Sequence, residues 1–268
     1  MQPTTLHLFA AMHLNVTQML VPFARVKWLT LYKALLPFHR HVTHLNLSGG
    51  RFRASRCSLA DFTALYYLNV SQDPLRRVSL RCLTTVTDRL TVLDLAQCQL
   101  TLQELKVLEA MPSLRALGLA GVELSPHAYP WQSYAPPLFR RLVCVDARDV
   151  RDPLPVLMYH PDNRLEFLYV DHRGLPQCMR TPPRRLRRLL ISLHGYDGQS
   201  EEHIETWLST FPHCQEICFD VPSAMLTTFA EHAWSADYHV KADGPLLRFT
   251  RGPPSEDLSW TNLATLRI

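Results

Sequence analysis

The chain has 268 residues, 47% of them hydrophobic, with 28 Lys and Arg against 24 Asp and Glu and a formal net charge of +4. That supplies a sizeable core for one or two domains, and no run of about 18 apolar residues offers a membrane span. Seven cysteines, an odd number without dense spacing, argue for a reducing compartment rather than a secreted disulfide framework.

Charge is graded along the chain. Residues 1–60 carry seven bases and no acid, residues 140–188 eleven bases and six acids, and residues 189–268 four bases and eleven acids. The first charge is Arg25, and His7, His13, Asn15 and Gln18 interrupt the apolar start, which does not read as a secretory leader. The three N-x-[ST] triplets at Asn15, Asn46 and Asn69 are then coincidental. The expected location is intracellular, in cytoplasm or nucleus; an acid-free, Arg-bearing start leaves a mitochondrial one open.

In chain order, the first four phrases are "TTLHLFAAMHL" (Leu6, Leu8), "VKWLTLYKALL" (Leu29, Leu31), "VTHLNLSGGRF" (Leu45, Leu47) and "LYYLNVSQDPL" (Leu68, Val70). Each reads as a short strand whose alternate leucines share one face. "LTVLDLAQCQL" (Leu93, Leu95) follows, then Thr101-Leu102-Gln103-Glu104, a capping box that opens a helix. Leu102, Leu105, Leu108 and Ala110 form its apolar stripe, and Met111-Pro112 stops it. "LRALGLAGVEL" repeats the strand phrase 24 residues on. Two proline-rich stretches, Ser125–Pro137 and "RDPLPVLMYHPDN", flank or follow "RRLVCVDARDV" (Val143, Val145) and read as rim loops. "LEFLYVDHRGL" (Leu168, Val170) and "LRRLLISLHGY" (Leu189, Ile191) come next. A helix from Ser200 then buries Ile204, Trp207 and Leu208, before "CQEICFDVPSA" (Ile217, Phe219) and the closing "LATLRI" (Leu266, Ile268).

A unit recurring mostly at 21 to 28 residues, with a shorter step from Leu29 to Leu45, is the mark of a solenoid. The phrase resembles the leucine-rich repeat, L-x-x-L-x-L-x-x-N/C-x-L, with Cys98 at the N/C place. Ala34, Gly50, Asp73, Val122, Arg148, Arg173 and His194 stand there in other copies. The helical connectors resemble the ribonuclease-inhibitor-like subclass, and residues 26–196 carry the resemblance best. It implies an α/β leucine-rich-repeat solenoid: a curved horseshoe with parallel strands on the concave face and helices and loops on the convex face. Residues 1–268 are expected to form one solenoid domain, with degenerate repeats at both ends.

No phosphate loop, dinucleotide fingerprint, zinc-protease or nucleophile-elbow motif is present, so no enzyme, cofactor or small-molecule substrate is expected. His213, Cys214 and Cys218 read as structural rather than metal-binding, and His39, His41 and His44 as a solvated cluster. Arg180, Arg184, Arg185, Arg187 and Arg188, five arginines without an acid, are candidates for phosphate contact, against a solvated edge or an acidic protein partner.

The expected function is a non-enzymatic protein-interaction scaffold or adaptor subunit. Its partner would dock on outward strand positions: Trp28, Tyr32, His44, Tyr67, Phe167, Tyr169 and Asp171. The alternative is a nucleic-acid-associated module of a ribonucleoprotein or chromatin complex, using the basic region 1–60 and the arginine run 180–188. No amphipathic capping helix is legible at either end, so a further polypeptide, or a second copy, is expected to cover one of them.

Overall fold

The computed structural model describes residues 18–19, 39–48, 59–72, 88–124, 140–150, 163–173, 182–195, 201–222 and 238–251, with the single positions 80, 83, 86, 175 and 226. The chain divides into two compact units, residues 1–129 with 260–268, and residues 130–259.

In the first unit five short strands run parallel: β1 (Gln18–Met19), β2 (His44–Asn46), β3 (Tyr67–Asn69), β4 (Val92–Asp94) and β6 (Ala116–Gly118). Their register aligns Met19, Leu45, Leu68, Leu93 and Leu117. Leu45, Leu68, Leu93 and Leu117 are fully buried, as are Leu95 and Leu119 two residues on. A second, two-stranded pair, β5 (Gln99–Leu100) with β7 (Glu123–Leu124), repeats the pairing just beyond the turn.

The helix α1 (Leu102–Glu109) starts where the capping box requires. Glu104 N–H donates to Thr101 Oγ1 at 3.3 Å and Thr101 N–H to Glu104 Oε2 at 2.7 Å. Two backbone donors at the helix start are thereby satisfied.

The second unit has four parallel strands, β8 (Cys144–Asp146), β9 (Phe167–Asp171), β10 (Arg188–Ser192) and β11 (Glu216–Asp220), paired in that order. The helix α2 (Glu201–Thr210) connects the last two and buries Ile204, Trp207 and Leu208, as its periodicity predicts. The pattern then changes. β13 (Leu246–Thr250) pairs with β11 antiparallel, and β12 (His239–Asp243) pairs with β13 antiparallel. The β11 edge is thus covered by the chain's own hairpin, while the two ends where a further polypeptide was expected, at Leu6–Leu8 and at Leu266–Ile268, lie outside the described residues. Lys241 is exposed on the outermost strand, a residue type that discourages further strand pairing.

Two expectations are corrected here. The strand beside β2 is β1, so the neighbouring repeat is centred on Met19 and not on Leu29. The step to Leu45 becomes 26 residues instead of 16, in line with the other repeats. Trp28 and Tyr32, expected at outward strand positions, lie outside the described residues, as does Arg180. The second correction is at β8, where Val145 and Ala147 align with Leu168 and Val170. Leu142, expected outward, is fully buried at the first leucine place of the repeat. Alternation assigns a face but is blind to a slip of two residues, and Ala147 at a leucine position concealed this one.

Four of the described turns, after β2, β3, β4 and β8, have the same construction. The side chain of the last strand residue folds back onto the chain two residues later. Ser48 N–H donates to Asn46 Oδ1 at 2.9 Å, Ser71 N–H to Asn69 Oδ1 at 2.8 Å and Ala96 N–H to Asp94 Oδ1 at 3.0 Å. Arg148 N–H donates to Asp146 Oδ1 at 3.3 Å. Such side-chain turns satisfy an N–H that leaves the strand ladder. One residue later the backbone enters the left-handed region, at Gln72 (φ 56°), Gln97 (60°), Gly121 (64°) and Asp149 (51°), and Gly195 (73°) takes the same place after β10. The N–H of Gln97 then reaches the Ala120 carbonyl of the next repeat at 2.7 Å. Next in line is Cys98, whose buried thiol donates to the Val70 carbonyl of the preceding repeat at 3.5 Å.

Candidate interaction face

The strand positions opposite the leucine core are where a partner was expected. In the first unit Tyr67, Val92, Ala116 and Gly118 are closed to solvent, whereas His44, Asn46, Asn69 and Asp94 are half-buried. Tyr67 is 2% exposed, and Val92 and Ala116 are fully buried. Burial, together with the Asp94 charge, pushes the Tyr67 hydroxyl up to about 12. Tyr67 is therefore a packed side chain, not the exposed anchor its outward parity suggested. His44 remains half-exposed, stacked on Tyr67 at 5.7 Å between centroids and tilted against Tyr66 at 5.7 Å. Its partial burial lowers its pKa below the ordinary histidine value. Asn46, Asn69 and Asp94 are committed to their turns. An open hollow of about 150 Å³ in this unit is lined by Ala60, Phe62, Thr63, Val86, Asp88 and Arg89. Its Arg89 guanidinium is tied to the Thr63 carbonyl at 2.7 Å.

In the second unit the outward positions form two polar assemblies. The first starts at Arg148, past the end of β8. Its guanidinium grips Asp146 with two bonds, Nε to Oδ1 at 3.0 Å and Nη2 to Oδ2 at 2.8 Å. Its Nη1 donates to the Tyr169 hydroxyl at 3.0 Å, and its central carbon lies 3.7 Å from the Tyr169 ring centroid. Tyr169 in turn donates to Asp220 Oδ2 at 3.0 Å, and His194 Nε2 contacts Asp220 Oδ1 at 3.2 Å. The donors run one way, from Arg148 to Tyr169 to Asp220, and His194 closes the far end with its Nε2 proton. Desolvation opposes the Arg148 charge, but the bonds to Asp146 outweigh it and hold the guanidinium above its ordinary pKa. Burial and the Asp220 carboxylate raise the Tyr169 hydroxyl, so it stays protonated and can donate. Arg148 and His194 retain 36% and 63% of their side-chain exposure and are the parts a partner could reach.

The second assembly centres on Glu216, whose side chain is 4% exposed. Arg188 and Arg248 each bring Nε within 3.1 Å of its carboxylate, from β10 and β13. At Arg248 the contact is one of charge, since its Nε–H is not aimed along a hydrogen bond. Arg188 also lies over the half-buried Phe167 ring at 5.6 Å. Beneath these groups Leu190 and Cys218 are closed off at 2% and 0% exposure. The Cys218 thiol contacts Glu216 Oε1 at 3.6 Å and is raised in pKa, first by burial. Burial likewise pushes Cys144 and Cys214 up to about 12.

Of the predicted partner positions, Phe167 and Tyr169 are brought together on β9, with Arg148 against Tyr169 and Arg188 against Phe167. Asp171 is not available as expected. It is 7% exposed and accepts from Asp149 N–H at 2.8 Å, which places it inside the turn ladder. Of the arginine run, Arg184, Arg185 and Arg187 are exposed. Arg188 enters the strand, where Glu216 holds its charge, so it does not stand with the others as a phosphate ligand. Arg148, His194 and Arg248 were missed as outward groups because they lie in turns or in an antiparallel strand that the repeat phrase does not contain. Among the described residues no group of three His, Cys, Asp or Glu side chains is placed to hold a metal ion, and no helix is long and apolar enough to cross a membrane.

No protein-family model matches the chain, and no curated protein matches it in sequence. Among solved structures it is similar to the leucine-rich repeat-containing protein LegL7 from Legionella pneumophila, with a TM-score of 0.53 and 15% identity over 83% of this chain and 88% of that one. An internalin, InlF, from Listeria monocytogenes is similar at a TM-score of 0.36 and 14% identity, over 68% of this chain and 56% of that one. The likeness to LegL7 is one of fold: this chain is an α/β leucine-rich-repeat solenoid.

Proposed function

We propose that this leucine-rich-repeat solenoid is a non-enzymatic protein-binding scaffold, and that its partner docks on the outward strand face of residues 144–220. The observation that carries the reading is the braced chain from Arg148 through Tyr169 to Asp220 and His194. Arginine and tyrosine are the residue types that dominate binding hot spots, and here they are fixed before a partner arrives. A side chain already ordered by its neighbours loses less entropy on binding. The general use of repeat solenoids as extended binding surfaces supports the same reading, as a likeness of fold only.

The test is affinity capture from cells with the full chain and with a Phe167→Ala/Arg148→Ala double variant, washed at low and at high salt. The wild type should retain a discrete protein set through the high-salt wash. The double variant should lose it, at a cost on the order of 2 kcal/mol per true anchor. Equal recovery by the variant overturns the assignment of the face. Captured material that nuclease or high salt removes would instead favour the nucleic-acid reading, since phosphate contacts weaken steeply with salt.

A further inference from the structure

The register that aligns β8, β9, β10 and β11 also aligns the residues leading into them. Three places before Cys144, Phe167, Arg188 and Glu216 stand Arg141, Arg164, Arg185 and His213, and four places before stand Arg140, Asn163, Arg184 and Pro212. Backbone bonds tie these entries together. Arg164 N–H donates to the Arg140 carbonyl at 3.3 Å, Glu166 N–H to Val143 at 2.9 Å, Arg187 N–H to Glu166 at 2.9 Å and Gln215 N–H to Arg187 at 2.8 Å. Residues more than seventy positions apart thereby form one row along the strand-entry edge of the second unit.

Arg140, Arg164, Arg184, Arg185, Arg187 and His213 are exposed in this row, and Arg141 is half-buried. The acid among the described residues of this row is Glu166, whose Oε2 lies 3.7 Å from Arg187 Nε in a pair open to water. On the adjoining outward face, by contrast, the carboxylates described on β8 to β11 are already engaged: Asp146 by Arg148, Asp171 by a backbone N–H, Asp220 by Tyr169 and His194, and Glu216 by two arginines. Among the described residues the surplus of this surface is therefore positive and lies at the edge.

We infer that the strand-entry edge takes an extended acidic segment of the protein partner. This deepens the scaffold reading and rests on it, because it names the chemistry of the partner. Strands stand about 4.8 Å apart, so three intervals span about 15 Å, the reach of four to five extended residues at about 3.3 Å each. Carboxylates along such a segment suit guanidinium forks, which bind them with paired hydrogen bonds. Single-stranded nucleic acid would want aromatic platforms between the charges. Among the described residues of this edge none is exposed: Phe211 is buried at 3%, and the interleaved Leu142, Leu165, Leu186 and Cys214 are core.

The experiment uses the full chain and four labelled probes: a peptide of alternating Glu and Gly, its Gln counterpart, and a single-stranded and a duplex oligonucleotide of matched charge. Binding is read by fluorescence anisotropy at low and physiological salt. The Glu peptide should bind and the Gln peptide should not. Arg164→Glu/Arg185→Glu should weaken the Glu peptide about tenfold or more, an amount expected for two lost charge contacts, with the circular-dichroism spectrum unchanged. No binding of the Glu peptide, no loss on charge reversal, or tighter binding of either oligonucleotide overturns the inference. Arg164→Gln/Arg185→Gln removes the charge without repulsion and gives the same answer if the reversal unfolds the chain. The scaffold reading fails separately: it depends on Phe167 and Arg148, which this pair of substitutions leaves in place.

Discussion

Gly121 shows how much a single backbone position carries. It occupies φ +64°, and a Cβ built there would lie 3.3 Å from Gln97 Cγ, the left-handed residue of the preceding repeat. Gln97 tolerates φ 60° because its turn is held from both sides, by Asp94 at Ala96 and by the Ala120 carbonyl. Adding a second such side chain beside it crowds the stack. Gly121→Ala should destabilise the chain by about 1–2 kcal/mol, the usual cost of a Cβ in the left-handed region. Thermal unfolding of the variant checks this; an unchanged midpoint would mean that the turn can relax to a right-handed conformation.

At the scale of elements, β10, β11 and β13 are held by a charge triad as well as by their ladder. Glu216 is almost fully buried between two largely buried arginines, and neither arginine can regain water without disturbing its strand. Glu216→Ala should cost about 3–5 kcal/mol, because it leaves buried positive charge uncompensated. Arg187→Ala breaks only the exposed pair with Glu166, and should cost under about 1 kcal/mol. Denaturant unfolding of the two variants measures the contrast. Near-equal effects would mean that the triad is hydrated in solution.

Elements also explain which parts of the site were legible beforehand. The capping box at Thr101 and the apolar stripe of α2 depend on neighbours three and four residues away, so the local pattern carries them. Phe167 and Tyr169 follow from alternation within one strand. The acceptor for Tyr169 is Asp220, 51 positions away, and nothing near either residue announces the other. The row of Arg140, Arg164 and Arg185 was invisible for the same reason. A search for contiguous charge finds 180–188, whereas the row appears only when entries of separate strands are counted back from a common register.

For the whole molecule, stability is distributed by repeat and its neighbours. In the second unit β10 and β11 have a strand on each side, whereas β12 pairs with β13 alone among the described strands, with His239, Lys241 and Ala242 exposed. Amides of Leu189–Ile191 and Ile217–Phe219 should exchange with solvent more slowly than those of β12, since local opening of an edge strand exposes little core. Hydrogen exchange followed by mass spectrometry resolves the two segments. Equal protection would mean that β12 is covered on its outer side.

By itself the sequence determined the repeating strand, the face that holds its leucines and the start of α1, because alternation, helical period and capping act over a few residues. The structure alone decided that Met19 rather than Leu29 supplies the strand beside Leu45, and that Val145 and Ala147 take the core places of their repeat. It also decided that Tyr67, Asp171 and Arg188 are engaged rather than offered to a partner. Parity states which way a side chain points; whether solvent waits there depends on what the adjoining strand brings to the same register.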